Sequence, residues 1–399
     1  MALRILHTSD WHLGHRLYGR RRDAEHEAVL RWLLDLVCAH AVDVLMVCGD
    51  VFDTGAPSVA AQEQYYGFLQ ELRQTGCRHA VILAGNHDSP SFLAAPKGLL
   101  RALGVYVITA PQPLVLTSAH GDPELAVAAV PYLRERDVRT AMPGARLEDK
   151  AAAWVRGVAA VYAEVMRSAR SMAPQAPAVA LGHLFVAGSQ VADGQGMRFA
   201  VGGVDRVPVE VFPACTYVAL GHVHGAQEVA GRGFVRYSGA PLALGFADAG
   251  KAKSATLVTV EGEDSMTYEV LAAPSLQPMA RLCGPLAQVE ADLQRLVEVG
   301  GSVWVEAEVT SPDPADTVRR RIEEAVSGSA VDVLCVRVPR PPSLALGAAG
   351  ERLEELSPEE VFRRLLDAHA VEEDLRPQLT AAFAELMDTV LQREDQHAP

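Results

Sequence analysis

Five short apolar runs in this 399-residue chain break off in the same manner, into aspartate, asparagine or histidine. The run from Val42 to Cys48 gives way to Gly49-Asp50-Val51-Phe52-Asp53, and Leu3 to Leu6 leads to Asp10-Trp11-His12. Val81 to Leu83 leads to Gly85-Asn86-His87-Asp88, Val179 to Leu181 to Gly182-His183, and Val218 to Leu220 to Gly221-His222-Val223-His224. A nearly continuous apolar run of this length reads as a strand covered on both faces, the pattern of a parallel sheet in an α/β protein. In such sheets ligands gather outside the carboxyl ends of the strands, so residues far apart in sequence can converge there.

The converging residue types define a chemistry. Carboxylate, amide oxygen and neutral imidazole are donors for hard to borderline divalent cations, and the lack of cysteine in the set argues against a structural zinc site. Asp50, at the end of the most apolar strand, is the expected centre. Positions i and i+2 of an extended segment point the same way, which would pair Asp10 with His12 and His222 with His224.

A chain of 399 residues is expected to form two or three domains. Hydrophobic residues at 49% and charged residues at 22% suit a globular protein, and no apolar run approaches the ~20 residues needed to span a bilayer. The first strand begins almost at once, without a leader-like pattern. Six cysteines, at positions 38, 48, 77, 215, 283 and 335, have no CxxC spacing and read as reduced core thiols. A cytoplasmic location is therefore expected. The net charge of -14 argues against a general polyanion binder, yet His15, Arg16, Tyr18, Arg20, Arg21 and Arg22 put a local basic cluster beside the first motif. Such a run is either a solvated loop or a set of phosphate contacts.

Helical spacing of Val29, Leu30, Leu33, Leu34, Leu36 and Val37 before the Val42 run gives a β-α-β beginning. A second helix is predicted from Ser58 to Thr75, with Gly76 as its stop. Strands follow at Ala80 to Ala84, Val105 to Ile108 and Val127 to Val130, then a long helix through Trp154, Val158, Tyr162 and Val165. Val235 to Ser238 and Ala255 to Val260 close a first domain, placed at 1–275. Residues 276–342 read as a small β-α-β-α-β unit, in which Val303, Val305, Ala307 and Val309 alternate with Trp304, Glu306 and Glu308. Beyond the Pro/Gly-rich linker, 343–399 holds an expected helix pair, with Val361, Phe362, Leu365 and Leu366 on one face and Leu379, Phe383, Leu386 and Val390 on another. Two short helices cannot bury such faces alone, so they must dock on this chain or on a partner.

Together, Asp10-x-His12, Gly49-Asp50-x-x-Asp53, Gly85-Asn86-His87-Asp88, Gly182-His183 and Gly221-His222-x-His224 resemble the calcineurin-like binuclear metallophosphoesterases. The stretches His7-Thr8-Ser9-Asp10-Trp11-His12-Leu13-Gly14, Gly49 to Gly55, Ala84 to Ser89 and Tyr237-Ser238-Gly239-Ala240-Pro241 are similar to the SbcD family of nuclease subunits, which work with SbcC ATPases. The likeness covers most of the chain and is most specific over residues 3–90 and 180–245. It implies an α/β fold: a two-sheet metallophosphoesterase sandwich with a small α/β capping domain and C-terminal helices.

The resemblance assigns one metal to Asp10, His12, Asp50 and His224 and the other to Asp50, Asn86, His183 and His222. Two ions about 3.5 to 4 Å apart need a shared anionic ligand, a role that falls to Asp50. His87 is expected to protonate or stabilise the departing 3′ oxygen. Asp53 and Asp88 either support the histidines or serve as a turn or helix N-cap. Two Mn²⁺ are expected, with Mg²⁺ or another divalent ion as the alternative. The implied activity is exonuclease and endonuclease cleavage of double-stranded or hairpin DNA by a homodimer within a heterotetramer, without a membrane. Its partner would be an SbcC-like ATPase whose coiled coil meets the C-terminal helix pair. The rival readings are a phosphomonoesterase or cyclic-nucleotide phosphodiesterase of the same superfamily, and a non-catalytic scaffold.

Overall fold

The computed structural model describes residues 2–138, 147–190, 206–263 and 265–339, together with 362–363, 366–367 and 375–383. Two six-stranded sheets pack face to face. The first runs, edge to edge, Ser265–Ala272, Ser254–Gly262, Leu3–Thr8, Val44–Cys48, His79–Leu83 and Val105–Ile108, the last four parallel to one another. The second runs Gln227–Val229, Arg232–Tyr237, Tyr217–Gly221, Ala178–His183, Pro123–Val130 and Gln112–Thr117, with its four inner strands parallel.

The continuous apolar runs follow from what covers each face. Along Val44–Cys48, residues Val44, Met46 and Cys48 turn toward the second sheet, where they meet Val127, Val179, Leu181 and Ala219. The intervening Leu45 and Val47 turn the other way, against helices Asp23–Ala39 and Val59–Leu72. On the outer face of the second sheet, Ala126, Ala180 and Val218 pack against Trp154, Val158, Tyr162 and Val165 of helix Leu147–Met172. Every position of a central strand is thus dry, so polarity appears only where the strand ends. Among the described residues, no helix is long and apolar enough to cross a membrane.

Helix Val59–Leu72 ends earlier than Gly76 suggests. The Leu72 carbonyl accepts both the Thr75 hydroxyl at 2.7 Å and the Thr75 backbone N–H at 3.1 Å, closing the turn before the glycine. Edge strands Gln112–Thr117 and Ser265–Ala272 escaped the sequence reading because half-exposed edges lack a continuous apolar run.

The small unit has three parallel strands, Met279–Pro285, Val303–Thr310 and Val331–Arg337, with helices Leu286–Val299 and Ala315–Val326 packed on one face through Val305, Ala307 and Val309. The opposite face, carrying Trp304 and Glu306, meets the loop that follows the first strand of the main body. There the Arg22 guanidinium lies 5.5 Å from the Trp304 ring centre, and the Tyr18 hydroxyl donates to Glu306 at 3.1 Å.

Met46 is fully buried between the sheets, and neighbouring strands leave little room for collapse. Met46→Ala should destabilise the chain by about 2 to 5 kcal/mol, read as a lowered midpoint in urea unfolding with the secondary structure unchanged at zero denaturant.

Candidate metal centre

The strand ends do not continue as extended chain. Asp10, His12, Asp50 and His222 all have positive φ, at 54°, 48°, 50° and 100°. This corrects the expectation that alternation in an extended segment aligns Asp10 with His12 and His222 with His224: sharp left-handed turns aim these side chains. Each such residue costs about 1 to 3 kcal/mol of backbone strain. Cross-strand bonds hold the turns in place, with Asp10 N–H donating to Gly49 O at 3.0 Å, His12 N–H to Asp50 O at 3.0 Å and Leu13 N–H to Val51 O at 2.9 Å. The glycines in the motifs are steric necessities. A Cβ on Gly49 would overlap the His183 ring, one on Gly85 the Asp50 carboxylate, and one on Gly221 the Cys48 carbonyl.

All seven residues expected as ligands converge in one crevice. Potential donor atoms of Asp10, His12 and His224 lie within 4.8 Å of one another, as do those of Asp50, His183 and His222. Asp50 lies between the groups, with Oδ2 3.6 Å from His12 Nε2 and 3.3 Å from His183 Nε2. Asn86 Oδ1 sits 2.9 Å from both His183 Nε2 and His222 Nδ1. A third grouping, His12 with Asp53 and His87, meets the same 4.8 Å limit, but there the Asp53 carboxylate faces the other nitrogen of His12, at 3.2 Å.

Burial and charge act against each other here. Burial tends to raise the Asp50 carboxyl, yet His183, His12 and His87 around it hold it far below the usual carboxylate range. Burial tends to lower His183, yet the Asp50 charge lifts it to about 9. His222, buried and crowded by His183, falls to about 3, and His224 falls well below its ordinary value through burial, His12 and Lys253. The donor set fits divalent ions. His12 Nε2 is buried without a hydrogen-bond partner. His183 Nδ1 is matched to the Cys48 carbonyl at 2.8 Å, so in the neutral ring the Nε2 lone pair confronts the Asp50 and Asn86 oxygens. Lone pairs facing one another are relieved by a cation among them.

Asp53 and Asp88 brace the crevice. Asp53 Oδ1 receives His12 Nδ1 at 3.2 Å and His15 Nδ1 at 3.0 Å. Asp88 is buried and accepts three backbone N–H groups, from Val51 at 3.1 Å, Phe52 at 2.9 Å and Gly85 at 2.8 Å. It therefore ties the Asp50 turn to the Asn86 turn and is no N-cap; Ser89 caps the following helix instead. Burial and the Asp50 charge push Asp88 up to about 6 against those three donors. His87 is exposed beside the cluster, its N–H donating to Asp50 Oδ1 and its Nδ1 lying 2.8 Å from Asp53 O.

Several contributors went unread in the sequence. The Ser9 hydroxyl donates to Asp10 Oδ2 at 2.6 Å and meets Ser238 at 2.9 Å. Lys253 Nζ, paired with Asp248, donates to the His224 carbonyl at 3.0 Å, and the Tyr132 ring stands 6.2 Å from His183 and 6.3 Å from His222. Ser9 and Ser238 lie inside recognisable motifs, whereas nothing local marks Lys253 or Tyr132.

The basic cluster divides. Arg22, expected as a phosphate contact, is buried: it pairs with Glu25 and donates to the Ala243 carbonyl, leaving no face for a phosphate. Arg20 pairs with Asp332, Tyr18 joins Glu306 and Arg337, and both His15 nitrogens face internal acceptors. Arg21 pairs with Asp23 at 2.6 Å but stays largely exposed, and with Arg16 it lines an open cleft of about 550 Å³ that also takes in Asp23, Asp53, Thr54 and Ser58. Of the expected partner-binding residues, Val361, Leu365, Leu386 and Val390 lie outside the described residues. Phe362 and Phe383 stack at 4.2 Å, Leu366 is buried and Leu379 is 40% exposed.

Residues 3–226 match the family profile described as calcineurin-like phosphoesterase, and residues 275–370 match that described as type 5 capsule protein repressor C-terminal domain. The class that fold and crevice define is thus the calcineurin-like phosphoesterases. The SbcD chain of the Escherichia coli K12 nuclease SbcCD is 36% identical over 396 residues, covering 97% of this chain and 98% of that protein. Its namesakes from Rhodobacter capsulatus and Bacillus subtilis are 37% and 34% identical, covering 74% and 70% of this chain and 76% and 72% of their own lengths. The chain belongs to the SbcD family of nuclease subunits.

Removing the Asp88 carboxylate would strand three N–H donors, two of which, on Val51 and Gly85, adjoin the expected ligands Asp50 and Asn86. Asp88→Ala should lower stability by at least about 2 kcal/mol and weaken divalent-ion binding, measured by thermal unfolding with and without Mn²⁺.

Proposed function

We propose that this chain is a binuclear, metal-dependent DNA nuclease that hydrolyses phosphodiester bonds at duplex ends and in hairpins, with an SbcC-like ATPase as partner and Mn²⁺ as working ion. The observation that carries the reading is the Asp50 carboxylate between two groups of imidazole and carboxylate donors. Mixed oxygen and imidazole donors favour Mn²⁺ over Mg²⁺, which prefers oxygen ligands and keeps more of its water.

Two bound ions would supply the positive charge that polarises a phosphodiester and favours attack by water. Asp10, His12 and His224 would hold one, Asn86, His183 and His222 the other, and Asp50 both. The protein's own part lies in orientation and proton handling. Hydrogen bonding of His87 Nδ1 to the Asp53 carbonyl fixes the ring, leaving Nε2 as the nitrogen that can carry a proton to the departing 3′ oxygen. After transfer the neutral ring keeps the same bond to Asp53. Arg16 and Arg21, side by side on a short hairpin at the cleft, are suited to phosphates along the bound strand. In the same reading the C-terminal segment grips the ATPase and the chain acts as a homodimer within a heterotetramer.

Asp50→Ala should lose both ions, whereas His87→Ala should keep them and lose turnover. Metal counting with a labelled hairpin assay in Mn²⁺ and Mg²⁺ tests this; two ions in Asp50→Ala, full cleavage by His87→Ala, or equal rates in the two metals would refute the respective assignments.

The double variant Arg16→Ala/Arg21→Ala should bind DNA more weakly, with the slope of log affinity against log salt shallower by about one to two, while its Mn²⁺ content stays at wild-type level. Unchanged affinity across a salt series would remove both arginines from the DNA surface.

A further inference from the structure

We propose that His15 is a positioning residue for His12, acting through Asp53, and that the segment from Leu244 to Lys253 is the anchor from which it works. The inference rests on the reading above that His12 binds metal. His15 follows the turn that carries His12 and donates its backbone N–H to the His12 carbonyl at 2.9 Å. Its ring spans two acceptors, with Nδ1 3.0 Å from Asp53 Oδ1 and Nε2 2.9 Å from the Leu244 carbonyl. The same Asp53 oxygen receives His12 Nδ1 at 3.2 Å. One carboxylate oxygen therefore links two imidazoles, only one of which is aimed at the metal crevice.

Asp53 needs that second link. Its side chain is 27% exposed, so water competes for the carboxylate and packing alone does not fix its rotation. A proton held on His12 Nδ1 by Asp53 leaves Nε2, the buried and unpartnered nitrogen, as the donor toward the crevice. If the carboxylate turns into solvent, the His12 tautomer and ring angle are no longer set.

The anchor serves both histidines of one metal group. Leu244 N–H donates to Asp248 Oδ2 at 3.1 Å, Asp248 pairs with Lys253 at 3.0 Å, and Lys253 donates to the His224 carbonyl at 3.0 Å. One end of the segment thus steadies the His12 ring through His15 and Asp53, while the other steadies the backbone of His224. The far end of the hairpin that begins at Arg16 is held by the small domain through Tyr18 and Arg20. His15 is so placed between the docked small domain and one half of the metal centre.

The test uses the full-length chain, stripped of metal and titrated with Mn²⁺ by calorimetry and by electron paramagnetic resonance. His15→Ala should keep one ion at wild-type affinity and bind the other about 10- to 100-fold more weakly, while the metal-free protein, having lost the two hydrogen bonds of the ring, unfolds at a somewhat lower temperature. His15→Gln, whose amide can still donate to Asp53, should recover the second ion to within about threefold. The proposal is overturned if His15→Ala binds both ions as wild type does, if the Gln variant is no better than Ala, or if both ions are weakened equally, as a general loosening of the fold would do. Wild-type protein that takes up no Mn²⁺ would instead refute the metal centre itself, a result distinct from any of these.

Discussion

The structure turns on a carboxylate buried where a charge is expensive to keep. Asp50 is 2% exposed at the end of a strand that is dry along its whole length. Removing an ion of this size from water costs several kcal/mol, and only close opposite charge with well-formed hydrogen bonds offsets it. The His87 N–H at 2.8 Å and the rings of His183 and His12 supply part of that offset, and divalent ions would supply the rest. Glycines at 49, 85 and 221 let the three turns close around it, and Asp88 locks two of them together. Left-handed backbone at four residues, Asp10, His12, Asp50 and His222, across three strand ends is the strain that this convergence imposes.

Charge organises the contact with the small domain as well. Glu306, 5% exposed, is met by Arg281 at 3.2 Å, Arg337 at 2.9 Å and the Tyr18 hydroxyl at 3.1 Å. Both arginines belong to the small domain's own outer strands, so the Tyr18 hydroxyl is the contact that reaches this carboxylate from the main body, and sliding would cost that one bond while the arginines kept Glu306 paired. Arg22 over Trp304 and Arg20 on Asp332 add to the same seam. The basic run beside the first motif is therefore largely a docking device. The cleft beside it holds Arg16 and Arg21 but also Asp23 and Asp53, with Arg21 paired to Asp23 at 2.6 Å, so reconciling a net charge of -14 with a polyanionic substrate would fall mainly to bound cations.

The amino-acid sequence made the central strands and the polar residues that end them legible, whereas the edge strands Gln112–Thr117 and Ser265–Ala272 and the left-handed turns emerged only from the structure. An apolar run such as Val44–Cys48 must be covered on both sides, so its first polar residue falls at a sheet edge, and five such edges delivering Asp, Asn and His already specify a divalent-ion chemistry. It determined the small domain too, since Val305, Ala307 and Val309 alternate with Trp304 and Glu306 in the period of a half-buried strand. How residues distant in sequence face one another came instead from the packing of the two sheets and the small domain. Asp88 as the brace of two turns, Lys253 behind His224, His15 on Asp53 and Arg22 beneath the small domain all depend on contacts spanning tens to hundreds of positions. Local composition reports burial and periodicity because these follow from the nearest neighbours along the chain. Hydrogen-bond partners and the fate of a surface charge follow from packing of whole sheets, for which a single sequence carries no local signal.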